Sequence, residues 1–66
     1  MQTNDRVLTS RQLQVLKLIR ELYTNKQIAQ ELGITVGTVK QHISAMMVRT
    51  MTHNRRELSE CGINGE

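Results

Sequence analysis

The side chains best suited to molecular recognition in this sequence are Lys40, Gln41 and Ser44, which fall within one short stretch. Lysine brings a point charge with donors only, glutamine a paired donor and acceptor, and serine a hydroxyl that can do either. On a helix, at about 100° per residue, Gly37, Gln41, Ser44 and Val48 share one line. Such a line is what a helix presents when it lies along a nucleic-acid groove. A glutamine amide matches the N6 and N7 edge of adenine, serine bonds to either kind of edge, and a lysine reaches guanine O6/N7 or a phosphate. Glycine at 37 lets the start of that helix approach bases closely. Thr38 and His42 flank the line, within reach of groove edges or phosphates.

These groups hold a ligand; they do not break bonds. The chain has no carboxylate pair, no nucleophile with a base beside it and no glycine-rich phosphate loop, so no enzyme is expected. His42, His53 and Cys61 are the remaining metal-ligand types, and no pair has metal-site spacing. No metal and no cofactor are expected.

A reading helix must be propped from behind. Ala29, Gly33 and Val39 supply the spacing for it. Two helices crossing through a short turn need a small residue where they touch, a residue free to take positive φ at the first helix's end, and an apolar plug on the second. Ile28, Leu32, Ile34 and Ile43 complete the apolar wall. The stretch 25–44 therefore reads as a DNA-binding helix-turn-helix. An ordinary αα-hairpin would share the apolar periodicity. It would have no reason to combine these offsets with an acid-free second helix.

Four helices are expected, at about 10–23, 25–32, 36–50 and 55–60, in one domain spanning 1–66. Thr9 with Gln12, and Thr24 with Gln27, have the spacing of capping boxes. Thr35 caps the third helix, and Asn54 with Glu57 opens the fourth as a further capping box; Gly62 should stop that helix. Val15, Leu16, Ile19 and Leu22 recur on one face of helix one. Val36, Val39, Ile43, Met46, Met47 and Thr50 form the core face of helix three. Residues 1–8 read as a polar lead-in and 63–66 as a frayed tail.

The chain has 66 residues and 38% hydrophobic content. That suits one small folded domain, which buries only roughly 60% of its unfolded surface. The net charge is +3, and its placement matters more than its size. No Asp or Glu occurs between Leu32 and Arg56, whereas Lys40, Arg49, Arg55 and Arg56 all do. An anionic partner fits that face. Tyr23 is the sole aromatic residue, which disfavours single strands held by base stacking and leaves duplex DNA. Phosphate contacts are expected from the helix starts and flanking cations: Thr9, Asn25, Lys26, Thr35, Thr38, His42 and Arg49. Cys61 is the only cysteine, so no disulfide is expected within the chain and a reducing compartment is. The chain carries no apolar run long enough to span a bilayer; a cytoplasmic protein without membrane contact is expected. Met47, Val48 and Met51, with Arg55 and Leu58 of the last helix, form a candidate dimer surface.

The motifs Leu8-Thr9-x-Arg11, Val15-Leu16-x-Leu18-Ile19, Asn25-Lys26-Gln27-Ile28-Ala29, Leu32-x-Ile34, Thr38-Val39-Lys40-x-His42 and Asn54-Arg55-x-Glu57-Leu58 resemble the LuxR/GerE-type (FixJ/NarL-like) helix-turn-helix domain of bacterial regulators. The resemblance covers Leu8 to Leu58. It implies an all-α, four-helix domain without a wing, whose third helix enters the major groove. It places Lys40, Gln41 and Ser44 near bases, with Thr38, Val39 and His42 helping to hold the DNA backbone. The fourth helix, or the end of the third with it, is implied to pair two copies on a two-fold operator. Three positions depart. Leu22 stands where the family has glycine, which lengthens the expected helix one. Gln12 replaces an acid that could pair with Arg11. Thr50 and Thr52 replace apolar residues, weakening the expected seat of helix four.

The function implied is transcription regulation through sequence-specific duplex binding, as a homodimer in contact with RNA polymerase or a larger LuxR-type regulator. The alternative is a small interaction protein that pairs with such a regulator and antagonises it. The two separate by salt: duplex binding weakens steeply as salt rises, whereas an antagonist co-purifies with its partner.

Overall fold

Thr9 begins the first helix as its sequence suggests. Its hydroxyl accepts the backbone N–H of Gln12 at 3.1 Å, and the Gln12 side chain accepts the N–H of Thr9 at 3.0 Å. The computed structural model describes residues 8–62; the lead-in before Leu8 and the tail after Gly62 lie outside them. Helix α1 is Ser10–Arg20, α2 is Asn25–Leu32, α3 is Val36–Thr50 and α4 is Arg55–Glu60. The architecture is all-α, with no strand among the described residues.

Thr24 and Gln27 repeat the capping box at the start of α2. Thr35 caps α3 through the N–H of Thr38 at 3.1 Å. At α4 the Asn54 side chain accepts the Glu57 N–H, but the Glu57 carboxylate reaches one residue further back, to the N–H of His53 at 2.8 Å. That corrects the reciprocal box expected there. Gly62 does not stop α4 either; the helix ends on Cys61 in an extended conformation.

Three helix ends are closed in the same way. Leu22, Gly33 and Met51 all take positive φ, at 69°, 69° and 59°. In each case the next residue's N–H bonds back five positions: Tyr23 to Leu18, Ile34 to Ala29 and Thr52 to Met47. This closure satisfies carbonyls that a helix end leaves orphaned. Only Gly33 reaches that conformation without steric cost. Helix α1 therefore stops at Arg20, short of the expected Tyr23: Leu22 turns the chain although it lacks a glycine's freedom. Tyr23, carried inward by the turn, packs on the core and offsets the strain.

The core gathers Leu8, Val15, Leu16, Leu18, Ile19, Ile28, Ala29, Val39, Ile43, Met46 and Leu58. Each fully buried aliphatic side chain contributes ~1.5–3 kcal/mol. Helix α3 packs against α1, α2 and α4, so its inner face is fixed from three directions. Gln12 is buried as well, and its carboxamide oxygen accepts the Thr9 N–H of the capping box.

Two expectations change here. Leu58, assigned to a dimer surface, is 0% exposed and belongs to the core; an apolar residue in a two-turn helix closes the cavity beneath it first. Val36, assigned to the core face of α3, is 36% exposed at the first position of the helix. Helix α4 is seated despite Thr50 and Thr52. Thr50 donates its hydroxyl to the Met46 carbonyl at 2.9 Å and lies 3.0 Å from the Thr52 hydroxyl, so the threonines satisfy one another there.

Candidate nucleic-acid interface

The surface of α3 divides sharply. Val39, Ile43 and Met46 are buried, and Gly37, Lys40, Gln41, Ser44, Val48 and Arg49 are exposed. Thr38 and His42 are half-buried between the two sets. The side chains of Lys40, Gln41 and Ser44 make no hydrogen bond to another described residue. Their donors and acceptors are available to a ligand.

Gly37 is informative in a different way. A Cβ placed there would meet nothing closer than the Thr35 hydroxyl, at 3.8 Å, which is ordinary contact. Packing within the chain gives no reason for glycine here, a residue that costs up to about 0.5–1 kcal/mol relative to alanine within a helix. Gly33, by contrast, is explained by its backbone angle.

The remaining expected contacts fall at helix starts. Thr9 and Thr35 spend an oxygen lone pair on capping and keep a hydroxyl proton, Thr35 lying 3.0 Å from the Thr38 hydroxyl. Lys26 is exposed in the first turn of α2. Asn25, beside it, is half-buried, and its carboxamide oxygen accepts from Arg55 Nη1 at 2.5 Å; Arg55 Nη2 donates to the Tyr23 carbonyl, also at 2.5 Å. Arg55, expected at a dimer surface, is thus engaged inside its own chain. Local sequence gave no signal of this pair, whose members are 30 positions apart.

Of the other residues placed on the dimer surface, Met47 packs partly on the core. Val48 and Met51 are 78% and 84% exposed. None of the described acids is on α3: Glu21 follows α1, Glu31 is near the end of α2, and Glu57 and Glu60 are in α4. Two of them have a partner four residues back: Glu57 lies 3.4 Å from the His53 imidazole, and Glu60 pairs with Arg56. No helix among the described residues is long and apolar enough to cross a membrane.

The family model described as bacterial regulatory proteins, luxR family, matches residues 6–61. Among curated proteins, the chain is 40% identical over 60 residues to an oxygen regulatory protein NreC of Staphylococcus carnosus, covering 88% of this chain and 28% of that protein. It is 44% identical over 50 residues to the transcriptional regulatory protein LiaR of Bacillus subtilis, covering 76% of this chain and 24% of that one. It is 44% identical over 52 residues to the two-component response regulator PprB of Pseudomonas aeruginosa, covering 79% and 19%. The chain thus spans less than a third of the length of each of these relatives. An all-helical fold, a helix-turn-helix closed at Gly33 and a match over most of the sequence agree: the chain belongs to the luxR family of bacterial regulatory proteins.

Proposed function

We propose that this chain is a single helix-turn-helix domain, spanning 1–66, that binds duplex DNA sequence-specifically and regulates transcription by inserting α3 into the major groove. The observation that carries this reading is the exposed line of Gly37, Gln41 and Ser44, with Lys40 beside it, on a helix whose opposite face is buried. Gln41 and Ser44 read base edges, Lys40 reads a base or holds a phosphate, and Gly37 admits the groove wall. Thr9, Asn25, Lys26, Thr35, Thr38, His42 and Arg49 contact the phosphate rails. Val48 and Met51, adjacent and exposed at the end of α3, support pairing with a second copy. The relatives named above are regulators, which supports a cytoplasmic role in transcription, with RNA polymerase or a larger regulator of the family as a further partner.

Sequence selection from a random duplex library tests the reading and yields motif, symmetry and half-site spacing together. On the selected duplex, Gln41→Ala changes preference at one base pair by ~1–3 kcal/mol. Lys40→Ala weakens binding, and if Lys40 holds a phosphate it flattens the slope of log affinity against log salt by about 0.9. Wild-type behaviour from both variants in a footprinting titration would remove α3 as the reader.

A further inference from the structure

We propose that Arg55 is a positioning residue for the phosphate contact assigned to Asn25, an inference that rests on the function proposed above. A guanidinium only donates hydrogen bonds, so the Asn25 atom facing Arg55 Nη1 is the carboxamide oxygen. The amide nitrogen lies on the other side of the same planar group and is turned away from Arg55 as a donor. Asn25 has no capping task to explain its orientation, because Thr24 caps α2. Arg55 is itself held at two points, its Nη2 tied to the Tyr23 carbonyl beside the turn. The helix it starts is anchored at its far end, where Arg20 donates to the carbonyls of Ser59 and Cys61. The fork therefore fixes the carboxamide with its oxygen toward Arg55 and its nitrogen, the donor a phosphate needs, on the opposite side. Without it, the carboxamide could rotate and present an oxygen that a phosphate repels.

The test is a titration of the library-selected duplex with the full chain as wild type, Asn25→Asp, Asn25→Ala, Arg55→Lys and the Asn25→Ala/Arg55→Lys double variant, each with its thermal midpoint. Asn25→Asp keeps an acceptor for Arg55 but has no donor. It melts at or above the wild-type temperature and binds at least about tenfold more weakly. Arg55→Lys keeps the charge but cannot form the fork, and it loses about 3- to 10-fold in affinity. The double variant binds no more weakly than Asn25→Ala alone, as expected for groups acting through one contact. Phosphate ethylation interference disappears at the same phosphate in Arg55→Lys and Asn25→Ala. Wild-type affinity for Asn25→Asp, or losses from the two single changes that multiply in the double variant, overturns the assignment of Arg55. A wild-type chain with no salt-dependent duplex binding overturns the proposed function, and this inference with it.

Discussion

Arg20 donates from Nη2 to the carbonyl oxygen of Cys61 at 2.7 Å, across 41 positions of sequence. Its Nε reaches the Ser59 carbonyl at 3.0 Å. The last residue of α1 therefore places a cation on the final carbonyls of α4, the end where a helix carries its partial negative charge. Arg20→Ala should lower unfolding stability by about 1 kcal/mol, below the roughly 1.5–3 kcal/mol of charged hydrogen bonds because the site is exposed. Urea titration reads this as a lower midpoint with an unchanged slope. A midpoint equal to wild type would mean that the contact adds nothing in water.

Leu22 and Met51 should respond to glycine in the opposite sense. Both have left-handed backbone angles and exposed side chains, 87% and 84%. Glycine removes a Cβ penalty of roughly 1–2 kcal/mol at such a position and gives part of it back as chain entropy. Leu22→Gly and Met51→Gly should each stabilise the fold by about 0.5–1 kcal/mol. Chemical denaturation would show this as a higher midpoint; a lower one would mean that the side chains are held by contacts.

Gly37→Ala should separate folding from binding. The added methyl finds room within the chain and improves helix propensity, so stability should rise by about 0.5–1 kcal/mol. In the proposed complex the same methyl stands where a groove edge comes close. Affinity for the selected duplex should fall about tenfold, the lower end of what one direct base contact contributes. Unchanged affinity would take Gly37 off the reading face.

Leu58 and Val48 should part company. Leu58 is 0% exposed, and Leu58→Ala should cost about 2–5 kcal/mol. Val48→Ser and Met51→Ser, at exposed sites, should stay within about 0.5 kcal/mol of wild-type stability. If these two residues pair copies of the chain, the same changes should weaken self-association in sedimentation equilibrium. A monomer at every concentration, wild type included, would remove the pairing surface.

Local chemistry made most helix starts legible in the sequence, since a threonine and the residue three positions on decide each one. The ends of helices two, three and four fall where expected, and only helix one stops short of its expected end. Leu22 and Met51 adopt the same conformation as Gly33, but neither residue type advertises it. Core packing and the backward hydrogen bond outweigh local strain there. The division of α3 into buried and exposed faces followed from its period over 15 residues. Helix α4 has only 6, too few to define a face, so Leu58 and Arg55 were placed outward when both are held inward. The arginine ties link residues 30 to 41 positions apart, and nothing local in a sequence encodes such a pair.

A helix of 6 residues has too little length to form alone in water. Helix α4 therefore borrows its order from Arg20, from the Tyr23–Asn25 corner and from the cavity that Leu58 fills. The Leu58 amide, bonded to the Asn54 carbonyl, should exchange with solvent only when α4 leaves the core, which makes it a gauge of that opening. A protease cut between Thr52 and Asn54 would release the helix and empty the cavity in the same event. That loop is where the domain could be disarmed without any change to the residues proposed to face DNA.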